Sequence, residues 1–548
     1  MTNMYEIGRD IIKNAGASGV AGAGADGRGR SRLRLIYGLF IIAFIIFAGK
    51  TLLLGIEGTD RARRGSGAGE WISGRADIID RNGDLLAKNT VSGHIVLRPP
   101  QVADPDSVAN LIHEIAPEIS VQTVLNDIGS GKKFLYVKKF ASDYQREKVT
   151  EAKLPGLGLE ETEWRRYPKR RLFSHVLGFV GSDGVGLEGV EKIRDAYLRG
   201  NKSPLVLSLD SRIQSIFYQE LSGAMQKFQA KSAMGMLMNS RTGEMIAMVS
   251  LPDYDPENLE YDPPENRLFK PLRGLYEMGS IFKIFNTAMA IETGIGLKRE
   301  YYVARPYDIR DGRGRVVATI HDVATFRPPR PSLNVAEIML YSCNAGSVQI
   351  ALDFPEGTQP EFFDRIHMNL PLDLEFGRTE RPLMPIKWGI TERATVSFGH
   401  GMSVTPMHVL LGVNAMANGG IYIWPTLFKR DVGAVEGARV IAPEVSESLR
   451  KIMFKIAEET SGKKARINGI NIGGKTATSE KRINGKVDKG KNLTAFVGIF
   501  PVESPQYIIL VMLDEPMGTK ESWGFRTAAW NAVPTAGAIM EQSLPLLF

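Results

Sequence analysis

The sequence predicts an α+β fold attached to a membrane by a single N-terminal transmembrane helix. Three observations support this prediction. An apolar run follows a polar, glycine-rich tail, strand patterns occur soon after that run, and further strand patterns lie at both ends of a long helical segment. When strands flank a helical middle, one sheet can pair early with late segments and carry helices on its faces. We therefore expect a central antiparallel sheet flanked by helices.

Length and composition limit the classes of protein that fit. The chain has 548 residues, enough for about three or four structural units, and its 43% hydrophobic and 24% charged content predicts large buried cores. The net charge of +7 is diffuse, which suits an anionic membrane or wall surface and argues against nucleic acid. The single cysteine, Cys343, excludes an intrachain disulfide. No Cys or His spacing indicates a metal site, so we expect neither metal nor cofactor.

The N-terminal region predicts a membrane anchor. Residues 1–34 are expected to be a disordered cytoplasmic tail, because their glycine, alanine and arginine residues cannot bury apolar surface. Residues 35–56 predict one transmembrane helix of about 33 Å, in which Lys50 can reach the headgroup layer. Arginines lie on both sides of this helix, so charge asymmetry is weak. Since long domains are translocated largely regardless of charge, the short N-terminal tail decides the orientation; we place the tail in the cytoplasm and residues 57–548 outside the cytoplasmic membrane.

Residues 57–204 predict an α+β pedestal module. GRADIIDRNGDLLAKN, residues 74–89, indicates a strand, a turn at Asn82-Gly83 and a second strand. Residues 164–191 are rich in glycine and aromatic residues. We find no catalytic set of residues in this module and expect it to be structural.

Residues 205–548 predict the second, larger domain. LVLSLDSRIQSIFYQEL, residues 205–221, indicates a strand, a Ser/Asp cap and an amphipathic helix. Residues 233–250 indicate a hairpin around an Arg-Thr-Gly turn. Near the C-terminus the patterns indicate strands over residues 494–501 and 507–516 and a helix over residues 530–543.

The segment GINIGGKT, residues 469–476, matches the phosphate-binding loop pattern G-x-x-x-x-G-K-T at every position. That loop needs an apolar strand before its first glycine and a helix after its threonine. Here the preceding residues are polar, and Asn484-Gly485 breaks the following segment. We therefore predict a strand over residues 469–478 and consider an ATPase unlikely.

Three short motifs follow one another along the second domain. Ser280-x-x-Lys283 lies at the start of a helical stretch, where residues three apart share a face and a lysine can activate a serine. Ser342-x-Asn344 lies in an apolar helical stretch, in which two polar side chains need an explanation. Lys475 and Thr476 lie towards the end of the predicted strand.

Each motif has a decoy elsewhere in the chain, so none is specific alone. Lys50-Thr51 lies in the predicted membrane helix. Ser332-x-Asn334 follows prolines and precedes a helix, which favours a capping role. Ser461-x-x-Lys464 lies in a polar segment with Gly462, where we expect nothing to fix a hydroxyl against a base.

In this order, the three motifs resemble those of the penicilloyl-serine transferases, the penicillin-binding proteins and serine β-lactamases. Beyond the membrane helix nearly the whole chain resembles class B penicillin-binding proteins, and its modest length and short insertions look more like the division-specific type than the elongation type. The resemblance rests further on the juxtamembrane segment GRADIIDRNGDLLA, the pedestal segments RRYPKRRLFSHVLGFVG and GLEGVE, and SFGHGMSVTPMHV (397–409) with NAMANGG (414–420).

The resemblance implies a role for each motif residue. Ser280 would be the nucleophile and Lys283 its base, provided that burial and the nearby Lys475 keep Lys283 neutral. Ser342 would relay a proton to the leaving amine, and Asn344 would hold a substrate amide.

Lys475, Thr476 and Thr478 would bind the terminal carboxylate of the substrate, and the backbone N–H groups of Ser280 and Thr478 would form the oxyanion hole. Ala477 departs from the glycine of the family pattern. Since glycine lets a substrate backbone lie close, this methyl group leaves substrate and β-lactam affinity open.

The resemblance implies a peptidoglycan D,D-transpeptidase of cell division that is a target of β-lactams. It would take a D-Ala-D-Ala stem peptide as donor and an amine of a second stem as acceptor, releasing D-Ala. The implied partners are a polytopic membrane glycosyltransferase and other division proteins, and the implied location is the inner membrane at the septum, with the catalytic domain in the periplasm. A D,D-carboxypeptidase or β-lactam hydrolase, an elongation-type enzyme and a non-catalytic penicillin-binding scaffold remain alternatives.

Overall fold

A computed structural model describes most of the chain beyond residue 73. The predicted cytoplasmic tail and the predicted transmembrane helix over residues 35–56 lie outside the described residues, apart from two isolated positions. Among the described residues, no helix has both the length and the apolar character needed to span a membrane. The described residues are 44, 50, 74–323, 326–430, 433, 435–483 and 486–548.

The described part of the pedestal is an α+β module. Its strands and helices are β1 (Ile78–Ile79), β2 (Leu85–Leu97), α1 (Pro105–Ile115), α2 (Val121–Gly129), β3 (Leu135–Lys138), α3 (Asp143–Ala152), β4 (Leu157–Arg166), α4 (Ser174–Leu177), α5 (Gly189–Ile193) and α6 (Asp195–Gly200). The predicted strand–turn–strand is confirmed, because β1 and β2 pair antiparallel and Gly83 adopts a φ of +92° in the turn between them. β2 also pairs with β3 and β4.

The second domain contains the remaining elements. These are β5 (Leu205–Val206), α7 (Ser211–Lys227), β6 (Ser232–Asn239), β7 (Met245–Leu251), α8 (Lys270–Arg273), α9 (Lys283–Glu292), β8 (Glu300–Tyr302), β9 (Tyr307–Arg310), β10 (Val316–Ile320), β11 (Ser332–Asn334), α10 (Val335–Tyr341), α11 (Asn344–Leu352), α12 (Thr358–Arg365), β12 (Asp373–Leu374), β13 (Gly377–Arg378), α13 (Ile390–Val396), α14 (Pro406–Ala417), β14 (Ile421–Ile423), β15 (Gly437–Arg439), α15 (Pro443–Glu459), β16 (Gly473–Ile483), β17 (Lys486–Phe500), β18 (Tyr507–Asp514) and α16 (Ala532–Leu547). β5 pairs in parallel with β1, so the pedestal sheet includes the first residues of this domain.

The main sheet pairs the beginning of the second domain with its end, as the sequence predicts. Its strand order is β16-β17-β18-β6-β7, and every neighbouring pair is antiparallel. The early strand β6 lies beside the late strand β18, with Met236 opposite Leu510. Because β16 is at the edge of this sheet, one side of its backbone is not used by a neighbouring strand of the sheet.

Helices cover both faces of the main sheet. Successive side chains of a strand point to opposite faces, and in β6 the residue Met236 joins one core cluster while its neighbour Leu237 joins the other. Leu237 lies in the cluster that contains residues of α7 and α16. Met236 lies in the larger cluster, which contains buried residues of α9, α14 and α15. The two predicted helices at the ends of the domain, α7 with its Asp210 cap and α16, are thereby confirmed.

The segment that matches the phosphate-binding loop forms a strand. β16 begins at Gly473, four residues later than predicted, and continues without a helix through Thr476. Among the described residues no helix directly follows Thr476, because β16 continues to Ile483 and β17 begins at Lys486, so that prediction is confirmed.

Arginines of the pedestal pair with acids of the second domain. Arg170 contacts Asp255 at 2.6 Å and Glu257 at 2.7 Å, and Arg171 contacts Asp262 at 2.9 Å. The Glu257 side chain is almost fully buried and also accepts a hydrogen bond from the backbone N–H of Tyr167 at 2.7 Å. These contacts tie the segment around residues 167–171 to the loop after β7.

Candidate active site

Ser280 and Lys283 meet at the start of α9. Ser280 lies in a short 3-10 turn, Gly279–Phe282, and Lys283 is the first residue of the helix that follows. The spacing brings the side chains together, since Lys283 Nζ lies 2.9 Å from Ser280 Oγ. Lys283 is almost fully buried, with 1% of its surface exposed, while Ser280 is half-buried. A buried lysine therefore lies within hydrogen-bond distance of an accessible hydroxyl group.

Two glycines fix the position of the Gly279–Phe282 turn. Gly279 has a φ of +52°, and its N–H donates to the Gly399 carbonyl at 3.2 Å. A Cβ added to Gly399 would lie 2.1 Å from the Gly279 carbonyl oxygen, so no side chain fits there. The glycine loop of SFGHG therefore packs backbone to backbone against the turn that carries Ser280.

Ser342 and Asn344 lie at a break between two helices. The expectation that both residues lie inside one helical stretch is wrong. α10 ends at Tyr341, Ser342 adopts a left-handed conformation with a φ of +61°, and α11 begins at Asn344. The break presents polar groups of both residues to Lys283, whose Nζ donates to Asn344 Oδ1 at 2.7 Å and contacts Ser342 Oγ at 3.2 Å.

Asp322, which no sequence motif singles out, holds this break in place. Its carboxylate accepts hydrogen bonds from the backbone N–H of Asn344 and, at 3.4 Å each, from the Cys343 thiol and the N–H of Ala345. A carboxylate is favoured at the N-terminus of a helix such as α11. A single Asp between two weak strand patterns gives no sequence signal for this role.

Lys475 reaches the same hydroxyl group from the main sheet. It lies on the edge strand β16 and is fully buried. Its Nζ lies 3.0 Å from Ser342 Oγ and 3.2 Å from the Thr476 carbonyl oxygen. The structure thus brings Ser280, Lys283, Ser342, Asn344 and Lys475 together through one chain of contacts.

Thr476, Ala477 and Thr478 continue β16 beyond Lys475. Thr478 is exposed, and its Oγ1 accepts a hydrogen bond from the Ala528 N–H at 3.0 Å. Thr476 is 8% exposed. The Ala477 methyl group is buried in the larger core cluster, on the opposite side of the strand from the two threonines. A Cβ added to Gly279 would lie 3.8 Å from it, so this methyl group faces the turn that carries Ser280.

Both decoy serines have a structural explanation. Ser332 belongs to β11, and Asn334 caps α10 in a reciprocal capping box with Glu337, which confirms the predicted capping role. The expectation that nothing fixes the Ser461 hydroxyl group against a base is not contradicted, because its hydrogen-bond partner is a threonine hydroxyl group. Ser461 Oγ lies 2.8 Å from Thr476 Oγ1, so the second Ser-x-x-Lys segment borders the site.

Burial changes the proton affinities of the site. Burial lowers the pKa of Lys283 to about 8, although electrostatic interactions with Cys343 and Asp322 act in the opposite direction. Burial, together with the positive charge of Lys283, holds the pKa of Lys475 well below the usual lysine value. Burial also raises the pKa of Cys343 to about 12, so its thiol stays protonated and unreactive near neutral pH.

The arrangement supports acyl transfer. A hydroxyl group lies beside a buried lysine that loses its proton easily, and a second hydroxyl group bridges that lysine to another buried lysine. Among the residues that the structure describes, no group of three or more His, Cys, Asp or Glu side chains could hold a metal ion.

Comparisons with known proteins agree with this chemistry. Residues 233–540 match the penicillin binding protein transpeptidase domain, and residues 72–216 match the penicillin-binding protein dimerisation domain. The chain is 32% identical over 536 residues to a probable peptidoglycan D,D-transpeptidase FtsI of Caulobacter vibrioides, and this match spans 94% of this chain and 89% of the relative. It is 26% identical over 554 residues to the peptidoglycan D,D-transpeptidase FtsI of Escherichia coli, and this match spans 93% of this chain and 90% of that relative.

A solved structure shares the fold. The crystal structure of a peptidoglycan synthetase from Bifidobacterium adolescentis superposes with a TM-score of 0.65 and covers 86% of this chain and 95% of its own. Sequence identity between the two is 19%, so this likeness bears on the fold alone.

Proposed function

The chain belongs to the penicillin-binding protein transpeptidase family, and we propose that the side chains around Lys283 carry out the family's reaction. The protein is a peptidoglycan D,D-transpeptidase that cross-links stem peptides during cell division. In the proposed mechanism Ser280 attacks the carbonyl carbon between the two D-Ala residues of a donor stem. The C–N bond breaks, D-Ala leaves, and an amine of a second stem then displaces Ser280 from the acyl-enzyme.

The distance of 2.9 Å between Lys283 Nζ and Ser280 Oγ carries this proposal. Lys283 acts as the base, because a pKa of about 8 leaves roughly a tenth of these side chains neutral at pH 7. A free lysine would be almost entirely protonated at that pH. Burial is thus the property that makes this lysine a usable base.

Ser342 passes the proton onward. Its Oγ lies 3.2 Å from Lys283 Nζ and 3.0 Å from Lys475 Nζ, so it can exchange protons with either side. The proton that Lys283 takes from Ser280 reaches the leaving nitrogen through this hydroxyl group, and D-Ala departs as a neutral amine. In the second half of the reaction the same route runs in reverse and removes a proton from the acceptor amine.

Lys475, Thr476 and Thr478 bind the terminal carboxylate of the donor. The carboxylate charge favours a proton on Lys475, because an opposite charge raises a lysine pKa. A charged Lys475 then disfavours a second charge on Lys283, which shares the Ser342 hydroxyl with it. Binding of the donor therefore promotes the neutral form of the base.

The edge strand β16 receives the donor peptide. An extended peptide can add to an unpaired strand edge through backbone hydrogen bonds, and β16 has such an edge. The N–H groups of Ser280 and Thr478 stabilise the developing oxyanion. Asn344 holds a substrate amide, since its side chain is fixed by Lys283 and by the His321 carbonyl at 3.2 Å.

We further propose that the enzyme is a single-pass inner-membrane protein. Residues 1–34 form its cytoplasmic tail, residues 35–56 its transmembrane helix, residues 57–204 the pedestal and residues 205–548 the periplasmic transpeptidase domain. Its partners are a polytopic membrane glycosyltransferase and other proteins of the septum, and β-lactams acylate Ser280. The apolar run of the sequence and the FtsI relatives support this placement.

Covalent labelling tests the nucleophile. A fluorescent penicillin is expected to form a stable adduct with the full-length protein, and peptide mapping is expected to place it on Ser280. Ser280→Ala should remove the label while the protein still unfolds cooperatively. Ser504→Ala is a matched control, because it removes an exposed hydroxyl group that bonds only Arg241 among the described residues. Undiminished labelling of Ser280→Ala would refute the assignment.

Product analysis separates the transpeptidase from the alternatives. With a donor stem peptide and an amine acceptor, we expect a cross-linked dimer and free D-Ala in equal amounts. Free D-Ala with only the shortened donor would identify a carboxypeptidase. Labelling by penicillin without any turnover of stem peptides would identify a scaffold.

A further inference from the structure

Ser461 is bonded to one of the hydroxyl groups that bind the carboxylate. Its Oγ lies 2.8 Å from Thr476 Oγ1, and Thr476 is 8% exposed. Thr476 Oγ1 has no second hydrogen-bond partner among the residues that the structure describes. Ser461 is therefore the hydrogen-bond partner that can orient the Thr476 hydroxyl group and its hydrogen atom.

Rigid elements fix the position of Ser461. It follows the end of α15, whose residue Met453 packs so closely on β16 that a Cβ added to Gly473 would lie 3.2 Å from Met453 Cβ. Gly462 turns the chain back, with its N–H donating to the Ile456 carbonyl at 3.2 Å. Buried Ala465 in the next turn anchors the segment in the core. The Ser461 hydroxyl is therefore held by packing on both sides.

Ser461 is not a second nucleophile. Lys464, its partner in the motif, lies with Nζ 3.2 Å from the centroid of the Trp530 ring. Burial lowers the pKa of Lys464, but its amine is held over the indole ring by a cation–π contact, and no hydrogen bond joins it to Ser461 Oγ among the described residues. The hydroxyl group of Ser461 instead contacts the hydroxyl group of Thr476.

The chemistry of hydroxyl groups gives this contact a direction. Two bonded hydroxyl groups hold two hydrogens, and one of them lies between the oxygens. A carboxylate offers only acceptors, so Thr476 must donate its own hydrogen to the carboxylate. Ser461 must then donate to Thr476. The same arrangement holds at Thr478, whose Oγ1 accepts the Ala528 N–H and keeps its own hydrogen free.

We propose that Ser461 is a positioning residue that donates to Thr476 and so orients the Thr476 hydroxyl group as a donor to the substrate carboxylate. This inference rests on the proposed function of Thr476. A hydroxyl group that accepts one hydrogen bond becomes a stronger donor in the next, so the chain from Ser461 to the carboxylate strengthens binding. Ser461 itself does not touch the reacting atoms.

The test compares a penicillin with the methyl ester of its carboxylate. The quantity measured is the second-order rate constant for acylation of the full-length protein by each compound. We expect Ser461→Ala to lower this constant for the acid roughly three- to tenfold, the effect of one neutral hydrogen bond, and to leave the ester within about twofold of wild type. The loss should appear in the dissociation constant of the initial complex more than in the acylation step.

Two further variants complete the test. Ser461→Thr keeps the hydroxyl group and should restore acylation by the acid. Thr460→Ala is the matched control, because its hydroxyl group belongs to the same turn but bonds the Ile456 carbonyl at 3.1 Å. Equal loss for the acid and the ester in Ser461→Ala would mean a merely structural role, and no loss for either would also overturn the inference. Failure of wild-type protein to form any adduct on Ser280 would instead refute the proposed function.

Discussion

The Ser342 hydroxyl group lies between two buried lysines, and only one of them can act as the base. Lys475 lies 3.0 Å and Lys283 lies 3.2 Å from this oxygen. Lys283 is also 2.9 Å from Ser280 Oγ, whereas the hydrogen bonds of Lys475 Nζ go to Ser342 and to the Thr476 carbonyl. The geometry therefore favours Lys283 as the group that takes the proton of Ser280.

Replacing Lys283 by arginine tests this assignment. Lys283→Arg keeps a positive charge, but an arginine does not lose its proton near neutral pH. We expect acylation of Ser280 by penicillin to fall by at least about a hundredfold, the lower range for loss of a general base. Lys451→Arg is the control, because Lys451 is exposed and, within the described part of the chain, pairs only with Glu447. Acylation of Lys283→Arg at close to the wild-type rate would show that another group is the base.

The pH dependence of acylation follows from the lowered pKa of Lys283. The base must be neutral, and its pKa is about 8 instead of the usual lysine value of 10.5. The neutral fraction therefore rises as pH increases through 8, and the acylation rate should rise with it from pH 6 and level off near pH 9. Stopped-flow acylation of wild-type protein over this range measures the profile. A rate that falls or stays constant between pH 6 and pH 9 contradicts the assignment.

The sequence predicts the central residues of the candidate site better than the residues that hold them in place. Ser280 and Lys283 are three apart on one helical turn, so their contact follows from local geometry. Asp322 and Ser461 contact the site only because distant segments pack there, and each is an ordinary polar residue in its own segment. The left-handed conformation of Ser342 likewise has no signal in the sequence, since the surrounding residues favour a continuous helix.

Packing between the SFGHG loop and the Ser280 turn sets the shape of the site at the level of elements. A methyl group added to Gly399 would overlap the Gly279 carbonyl, and its φ of +82° is also unfavourable for alanine. We expect Gly399→Ala to displace the turn and to lower acylation strongly. Left-handed strain alone costs about 1–2 kcal/mol, and the loss of stability should exceed this value because of the added overlap.

Gly294 provides the matched control for this prediction. Its φ of +80° is nearly the same, but an added Cβ would meet no atom within 4 Å. Gly294→Ala should therefore introduce the same left-handed strain, with the same loss of stability from strain, and keep full acylation. Penicillin labelling rates and urea unfolding of both variants measure the two effects. Equal acylation by Gly399→Ala and Gly294→Ala would show that contact with the loop does not position Ser280.

A buried ion cluster stabilises the pedestal. Glu191 is fully buried and pairs with Arg75 and, at 2.7 Å, with Arg165. Removing one partner from such a cluster leaves buried charges without compensation and destabilises a protein by about 3–5 kcal/mol. Glu191→Ala should therefore lower the free energy of unfolding by that amount, as urea denaturation would measure. Glu447→Ala removes an exposed ion pair and should leave the free energy of unfolding close to that of the wild type.

The strands of the main sheet were predictable where their patterns were local. The hairpin of β6 and β7 and the pair of β17 and β18 follow from apolar runs with turn residues between them. The start of β16 was not predictable. The residues from Gly469 to Gly473 alternate glycine with apolar and polar residues, and this pattern fits a strand as well as the residues that follow do. β16 begins where its backbone first finds a partner, with Gly473 opposite Ile499.

At the scale of the whole molecule, the order of strands resolves the match to a phosphate-binding loop. The loop requires a strand that leads into a helix, but Lys475 and Thr476 lie within a strand at the edge of an antiparallel sheet. The last two residues of this segment, Lys475 and Thr476, thus border the candidate active site. We expect ATP neither to bind the protein nor to compete with penicillin, as equilibrium dialysis and labelling would measure.

The membrane topology is the remaining prediction for the whole molecule. Residues 35–56 form an apolar run long enough to span a bilayer, and arginines of the preceding tail resist transfer across the membrane. The substrate proposed here is the peptidoglycan stem, which lies outside that membrane. Protease added to intact spheroplasts should therefore degrade the chain beyond residue 57 while a cytoplasmic marker protein stays intact. Protection of that region until the membrane is permeabilised would place the catalytic domain in the cytoplasm, where Ser280 could not reach a stem peptide of the wall.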